Sequence, residues 1–228
     1  MLLGLLGGLA CSASGTLGIL VCNPGSPRVF LFGCSHVLAN SGKFGLPFAS
    51  VPMTHTTVQQ PVPTPCDPTA NRVGLLQPGF TEIAAKGDGV NNADFALVLL
   101  DPAVAAATSS VQAVTGNSIR EFAREHPSEW REGMRTRLLG AMNPGVYGEI
   151  IGFSEEKQEA VTYPGIGDTV FTGTVRYKTD CAEGDSGAPV IDDDNRLLGM
   201  HIAGNSSRGI GLFLPVGDFL INHNLKLV

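Results

Sequence analysis

The segment that most constrains this chain is Gly184-Asp185-Ser186-Gly187-Ala188-Pro189-Val190, in its C-terminal third. Two glycines bracket a serine, and the pattern predicts a tight turn that leads into an apolar strand. Because glycine has no Cβ, the backbone of such a turn can approach another molecule closely. The turn can also direct the amides of Gly184 and Ser186 at one point, as stabilisation of a tetrahedral oxyanion requires. Ser186 is therefore a candidate nucleophile, and those two amides form a candidate oxyanion hole.

Two residues upstream are suited to activate such a serine. His36 follows the apolar run 30–34, which predicts a histidine delivered at the end of a strand. Asp94 opens the apolar run 95–100, so its carboxylate is expected to be buried. A buried carboxylate needs a hydrogen-bonding partner, and a histidine N–H is a good one. We therefore interpret His36, Asp94 and Ser186 as a catalytic triad of base, orienting acid and nucleophile.

In this order and with these flanks, the chain resembles the trypsin/chymotrypsin-like serine peptidases, in the diverged branch found in bacteria, plants and some viruses. The matching segments are residues 15–21, 36–40, the strand after Asp94, the Ser186 turn and residues 197–204, and together they anchor about residues 15–222. The resemblance implies an all-β fold of two six-stranded antiparallel Greek-key barrels, with a short interdomain helical link and a C-terminal helix. The implied organisation is an N-terminal extension (1–14), an N-terminal barrel (15–112), a link (113–135) and a C-terminal barrel (136–228).

Composition agrees with this fold and narrows the partners. The 228 residues are 43% hydrophobic, and 29 glycines and 15 prolines suit short strands joined by tight turns. A net charge of −6 argues against nucleic acid, because no basic stripe is present to neutralise phosphates. We expect a protein or peptide substrate, no metal or organic cofactor and no membrane span. The oligomeric state is left open.

The cysteines and the N-terminus bear on localisation. The five cysteines (11, 22, 34, 66 and 181) are odd in number and do not follow the disulfide pattern of secreted digestive relatives, which favours reduced thiols and an intracellular over a secreted protein. Residues 1–10 resemble the apolar part of a signal peptide but have no Lys or Arg before them, and they are too short to cross a bilayer. We interpret residues 1–14 as an extension packed on the fold, with secretion kept as the alternative.

A coarse map of the elements follows from apolar alternation and turn residues. A hairpin is predicted from 15–22 and 28–35, and a helix start is predicted at Ser118 with Glu121 as its capping partner. Residues 52–71 are rich in proline and threonine and predict a long surface loop. The remaining predicted strands are 73–76, 80–84, 95–100, 136–142, 146–153, 158–163, 168–177, 188–192, 196–203 and 209–216, followed by a helix at 216–222.

Two residues point to different substrate pockets. Asp180 lies six residues before the serine, where the resemblance to trypsin places a buried carboxylate that selects Arg or Lys. His201, in the run 199–204, resembles the pocket histidine of glutamyl endopeptidases and picornavirus-type main proteases, which recognises Glu or Gln. We favour His201, because its match covers the whole run, whereas Asp180 rests on one position and its alternative is an exposed loop residue. Cys181, beside Asp180, departs from both relatives and is included as a candidate pocket residue.

Two further features limit what the resemblance implies. No activation sequence of the trypsin type precedes the first strand, so Asp185 needs a partner other than a newly formed N-terminal amine. The acidic run 192–195 lacks the glycine and distal glutamate of a calcium loop and predicts a hairpin turn. The preferred function is a serine endopeptidase of restricted substrate range. The alternative is an inactive or latent relative that uses the same cleft to bind a peptide strand.

Overall fold

The structure is a computed structural model that describes residues 2–5, 14–16, 18–38, 57–59, 72–79, 81, 83–106, 119, 121–124, 127–154, 158–163 and 166–228. Its strands are β1 (Leu2–Leu5), β2 (Ser14–Thr16), β3 (Ile19–Cys22), β4 (Val29–Gly33), β5 (Thr57–Gln59), β6 (Arg72–Leu76), β7 (Ala96–Leu100), β8 (Glu121–Phe122), β9 (Arg135–Leu139), β10 (Pro144–Phe153), β11 (Glu159–Tyr163), β12 (Gly167–Phe171), β13 (Val175–Lys178), β14 (Pro189–Ile191), β15 (Arg196–Asn205), β16 (Ile210–Pro215) and β17 (Lys226–Leu227). Helix α1 is Ser35–Leu38 and helix α2 is Gly217–Asn222, while Pro127–Glu129 and Ser206–Arg208 are 3₁₀ turns. Within these residues no helix is long and apolar enough to cross a membrane.

The N-terminal half is one antiparallel sheet in the order β17-β3-β4-β7-β6-β5-β1-β2. The predicted first hairpin is confirmed, because β3 and β4 pair across the turn at 23–27, with Val21 opposite Phe30. Strand β1, inside the predicted N-terminal extension, pairs with both β2 and β5. One face of this sheet buries its own apolar core, which includes Leu31 and Val98.

The C-terminal half is a closed six-stranded antiparallel barrel, so the predicted all-β, chymotrypsin-like fold is confirmed. Its strands run in the order β14-β9-β10-β13-β16-β15, and a further pairing of β14 with β15 closes the barrel. Alternate side chains point inward, and Leu138, Val190 and Phe213 are among those that fill the interior. Strands β11 and β12 form a separate hairpin outside the barrel.

A third apolar core joins the two halves, since it contains Ile19 and Phe32 of the first half and Ile191 and Met200 of the second. The helix predicted at 216–222 is confirmed as α2, whose Phe219 packs on Phe32 and Phe95 of the first half. After α2 the chain returns to the N-terminal sheet, where β17 pairs with β3. Strand β17, at the C-terminal end of the chain, therefore belongs to the sheet of the N-terminal half.

Three local predictions were wrong. The helix predicted from Ser118 is not formed in its described part, because Glu121 and Phe122 pair with β15 as β8; Ser118 lies outside the described residues. The strand predicted over 80–84 is not formed in its described residues. The side chain of Asn91 accepts a hydrogen bond from the amide of Ala84 and donates one to its carbonyl, so these groups are not paired with a strand. The single strand predicted over 168–177 is divided at residues 172–174 into β12 and β13. Of the predicted loop 52–71, strand β5 is described and the rest lies outside the described residues.

Candidate active site

His36 and Asp94 form a tightly bonded pair. His36 lies in α1, directly after β4, and Asp94 lies two residues before β7, which pairs with β4. The ring Nδ1 of His36 is 2.5 Å from Oδ2 of Asp94, and the backbone amide of His36 donates to Oδ1 at 3.0 Å. The carboxylate is fully buried, whereas the histidine side chain keeps 11% of its surface exposed. The buried Asp94 carboxylate thus has the backbone amide and the ring nitrogen of His36 as its hydrogen-bonding partners, which offset the cost of its burial.

Tyr163, at the end of β11, contacts both members of this pair. Its hydroxyl donates to Oδ2 of Asp94 at 3.2 Å, and its ring stacks on that of His36 with 4.2 Å between the ring centroids. Tyr163 was not predicted as a site residue, because a tyrosine in an alternating strand is expected to be a core residue.

Ser186 lies in the turn before β14 of the C-terminal barrel, and its hydroxyl bonds a backbone carbonyl there; among the described residues no hydrogen bond joins it to His36. Strand β15 has an irregular register between His201 and Ala203, so Ile202 lacks a partner in β16. The carbonyl of Ile202 lies within hydrogen-bonding distance of two hydroxyls, those of Ser186 and Tyr163, each at 3.4 Å. Because Tyr163 has one proton to donate, Ile202 competes for it with the closer Oδ2 of Asp94 at 3.2 Å. Ser186 is half-buried, as access for a substrate requires.

Asp185 holds the turn that presents Ser186. Its carboxylate is buried and accepts the amides of Met142 and Ala182, both at 2.9 Å. Asn143 adds its own amide at 3.3 Å and its side-chain Nδ2 at 2.8 Å. Any side chain at Gly140 would overlap this carboxylate. The partner that the sequence left unidentified is thus a set of N–H groups around Asn143, and no terminal amine is needed.

Thr16 of β2 fixes the same turn from the N-terminal half. Its amide donates to the carbonyl of Ser186 at 2.7 Å, and its hydroxyl donates to the carbonyl of Gly184 at 3.0 Å. Gly184 has φ = 101°, in the region that favours glycine. Within the described part of the chain, the amides of Gly184 and Ser186 donate to no protein acceptor, so both are available to an oxyanion.

His201 is buried in the C-terminal barrel, behind the cleft. Only 2% of it is exposed, and its Nδ1 is 2.9 Å from the hydroxyl of Tyr177 on β13. Burial lowers the pKa of His201 to about 4, against a smaller raising effect of the Asp185 charge. Burial likewise raises the pKa of Tyr177, which stays a hydroxyl donor. His201 is therefore a neutral imidazole at ordinary pH, hydrogen-bonded through Nδ1 to the Tyr177 hydroxyl. If the phenol donates in this bond, the imidazole carries its proton on Nε2.

The space beside His201 is closed by Cys181. A side chain at Gly204 would overlap Sγ of Cys181 and would lie 3.4 Å from Cε1 of His201. Cys181 is 6% exposed, and its thiol donates to the carbonyl of Ile210 at 3.7 Å. The two segments expected to flank a substrate side chain are therefore in contact. A substrate side chain entering here would have to displace the thiol.

Asp180 is not part of the candidate substrate pocket beside His201. Its side chain is exposed and lines a surface groove with Arg135, Lys178 and Arg208. The buried carboxylate that a trypsin-like pocket requires is therefore not formed by Asp180, and the alternative of an exposed loop residue describes it. The reason is local: the neighbouring amide of Thr179 bonds the carbonyl of Gly209, which holds this segment on the outer edge of the barrel.

The described cysteines are thiols. Cys22, Cys34 and Cys181 are free, and Cys11 and Cys66 lie outside the described residues. Cys34, His36 and Asp94 each have one possible metal-ligating atom, and these three atoms lie within 4.8 Å of one another. By residue type, the three could bind a metal ion. Here His36 and Asp94 bond each other, and the Cys34 thiol donates to the carbonyl of His201. Burial, followed by the Asp94 charge, raises the pKa of Cys34, which disfavours the thiolate that binds metals.

The acidic run 192–195 forms the predicted turn between β14 and β15. Oδ1 of Asp192 accepts the amides of Asp194 and Arg196, and Oδ2 accepts the Arg196 guanidinium at 2.8 Å. Asn195 adopts φ = 60° in this turn. The Asp192 carboxylate is therefore hydrogen-bonded within the β14–β15 hairpin itself.

Comparison with known proteins supports the fold. No family model matches the chain, and no curated protein matches its sequence. Among solved structures, it is similar to Thermobifida fusca Protease A, with a TM-score of 0.57, 18% identity and coverage of 99% of this chain and 95% of that chain. It is also similar to a glutamic acid specific serine protease that uses a histidine triad in substrate binding, with a TM-score of 0.57, 14% identity and coverage of 99% and 97%. Nocardiopsis Protease matches with a TM-score of 0.54, 17% identity and coverage of 99% and 96%. At these identities the likeness establishes the chymotrypsin-like fold.

Proposed function

We propose that this chain is a serine endopeptidase in which His36, Asp94 and Ser186 act as base, orienting acid and nucleophile. The observation that supports it most strongly is the buried Asp94 carboxylate 2.5 Å from Nδ1 of His36, to which the half-buried Ser186 adds an accessible hydroxyl. A carboxylate in this position holds the imidazole in one tautomer and compensates the charge that it gains on taking the serine proton.

The reaction would be acyl transfer. For the reaction the Ser186 hydroxyl turns from the Ile202 carbonyl towards His36, which takes its proton as the oxygen attacks the scissile carbonyl, and the amides of Gly184 and Ser186 stabilise the oxyanion. His36 then returns the proton to the leaving amine, and water repeats the sequence on the acyl-enzyme. Asp185 is fully bonded by N–H donors, which supports an oxyanion hole that is held ready without an activating terminus.

For the residue before the scissile bond, we propose glutamine in preference to glutamate, arginine or lysine, with His201 as the pocket determinant. A neutral His201 with its proton on Nε2 offers one donor to the carbonyl of a side-chain amide. A carboxylate would have to be buried opposite a histidine that resists protonation, which is costly. A basic side chain would lack its countercharge, because Asp180 is exposed. Cys181 would have to shift to admit either side chain.

The second candidate function is a latent or peptide-binding relative. It is favoured by one observation, namely the contact between Cys181 and Gly204 that closes the pocket beside His201. A protein closed in this way could still pair a peptide with a strand edge while cleaving nothing.

A fluorophosphonate probe with an intact-mass readout distinguishes the two. We expect a single adduct on the wild type and on Ser207→Ala, which changes an exposed serine of the Ser206–Arg208 turn, and none on Ser186→Ala. A peptide library would then report the preferred residue. Folded wild type that gains no adduct would contradict the peptidase proposal, and binding of one peptide equally to wild type and Ser186→Ala without cleavage would establish the second candidate.

A further inference from the structure

The His36–Asp94 pair is supported by a residue that neither of its strands carries. Tyr163 belongs to the β11–β12 hairpin, which extends from the C-terminal barrel, whereas His36 and Asp94 belong to the N-terminal half. Its hydroxyl bonds the carboxylate oxygen that also receives Nδ1 of His36, and its ring covers one face of the imidazole.

The hairpin is itself fixed to the loop that leads to Asp94. The amide and the side chain of Asn91 both donate to the carbonyl of Val170, at 2.8 and 3.0 Å, and the amide of Thr172 donates back to Asn91 at 2.8 Å. Further along, the amide of Lys86 donates to the carbonyl of Asp168 at 2.7 Å. The strand opposite Tyr163 therefore holds the loop on which Asp94 is presented.

Tyr163 stays protonated in this environment. Burial raises its pKa well above the usual value for a tyrosine, and the charge of Asp94 adds to that effect. Among the described residues, the other titratable groups that face the pair are Cys34 and His201; burial raises the pKa of the Cys34 thiol and lowers that of the His201 imidazole, so both stay neutral. The Tyr163 hydroxyl therefore acts as a donor to the charged Asp94 at 3.2 Å, with the neutral carbonyl of Ile202 as a second, more distant acceptor at 3.4 Å.

We propose that Tyr163 is a positioning residue of the catalytic site, acting through two separate contacts. Its O–H holds the orientation of the Asp94 carboxylate so that Oδ2 stays in line with Nδ1 of His36. Its ring holds the plane of the imidazole and keeps water from that face. This role rests on the proposed peptidase function and assigns the β11–β12 hairpin a part in assembling the site across the two halves.

Two variants separate the two contacts. Tyr163→Phe keeps the ring and removes the O–H, and we expect kcat to fall about tenfold, the worth of one hydrogen bond to a charged group, with KM unchanged within about twofold. Tyr163→Leu removes the stacking ring as well, and we expect a larger fall in kcat. The control is Tyr147→Phe, because Tyr147 is 60% exposed on β10. If Tyr163→Phe equals this control in kcat, the proposal is overturned, as it also is if the variant loses its fold.

A double-mutant test separates positioning from general stability. In an Asp94→Asn background the Tyr163 O–H no longer has a charged group to orient, so we expect Tyr163→Phe to cause no further loss of kcat. A full additional tenfold loss would overturn the proposal, because it would show that the hydroxyl acts without Asp94.

A proton NMR measurement tests the role of Tyr163 separately from the peptidase function. A histidine N–H in a short bond to a carboxylate gives a strongly downfield proton resonance, which can be followed in the catalytically silent Ser186→Ala protein. We expect Tyr163→Phe to shift this resonance and Tyr147→Phe to leave it in place. An unshifted resonance overturns the role of Tyr163, while a shifted resonance in a protein that gains no fluorophosphonate adduct supports it and contradicts the peptidase proposal alone.

Discussion

The regions around His36 and His201 are built alike and differ in one partner. Each histidine has its Nδ1 bonded, and each packs against a tyrosine ring: Tyr163 stacks on His36, and Tyr177 meets His201 edge to face. The partner of Nδ1 is a carboxylate for His36 and a phenol for His201. The one carboxylate whose charge acts on His201, that of Asp185, is occupied by backbone and amide N–H groups.

This difference assigns the two histidines different chemistry. A buried carboxylate compensates the positive charge of an imidazolium, so in the proposed mechanism His36 is the histidine that gains and returns a proton. A phenol offers no such compensation, so burial holds His201 neutral and leaves it a fixed hydrogen-bonding group. One histidine is thus suited to proton transfer and the other to recognition of a neutral group.

The largest expected effect comes from removing the carboxylate that distinguishes the His36 region. Asp94→Asn should lower kcat/KM about 10⁴-fold, because the imidazole loses both its tautomer preference and its countercharge. The measurement is hydrolysis of a peptide ester or amide, with Asp193→Asn, an exposed turn residue, as the matched control. Activity within tenfold of that control would show that Asp94 does not orient the base.

The next effect is a pH dependence of stability that belongs to the His201 region alone. The pKa of His201 is about 4 in the folded chain, below its ordinary value of 6.5, so between these values the unfolded chain binds a proton that the folded chain does not. Stability from this group is therefore complete above pH 6.5 and declines as the pH falls to 4, by about 3 kcal/mol in all.

Chemical denaturation of His201→Gln across this pH range measures that contribution. The variant should lose less stability than the wild type between pH 6.5 and 4, whereas His223→Gln, which changes an exposed histidine on the C-terminal segment, should follow the wild type. Identical pH profiles for wild type and His201→Gln would mean that the pKa of His201 is not lowered in the folded state.

A smaller effect is expected from the phenol that holds His201. Tyr177→Phe leaves the buried Nδ1 without its partner, and we expect a loss of about 1–3 kcal/mol in the free energy of unfolding. Because we infer that the Tyr177 O–H sets the tautomer, the proposed preference for glutamine over glutamate should weaken, while kcat for a fixed substrate changes little. Tyr147→Phe is again the control, and equal stability of the two variants would contradict the assigned bond.

What the sequence could predict depends on how local each signal is. Ser186, His36 and Asp94 stand beside glycine turns or at the ends of apolar runs, so neighbouring residues reveal them. Tyr163 could not be found in this way, because its contact with Asp94 joins residues 69 apart and depends on the docking of a hairpin.

The supports of the Ser186 turn escaped prediction for the same reason. Thr16 bonds Gly184 across 168 residues, and the amide of Asn143 reaches Asp185 only because the β9–β10 turn folds over it. The position of the Ile202 carbonyl, which the Ser186 hydroxyl contacts, depends on a register shift in β15. Apolar alternation in the sequence does not encode such a shift. Long-range pairing decides these contacts, and a single sequence carries little information about it.

The smallest expected effect comes from Asp180, which tests whether the pocket contains any charge. Asp180 is exposed beside Arg135, Lys178 and Arg208, so its carboxylate is screened by water and by these cations. Asp180→Asn should leave both kcat/KM and the preferred residue unchanged within about twofold, and a peptide library with glutamine, glutamate, arginine and lysine at the varied position measures both. A loss of arginine and lysine cleavage in this variant would mean that the carboxylate turns inward when substrate binds. Recognition would then depend on a charge, and the contrast between a charged His36 region and a neutral His201 region would fail.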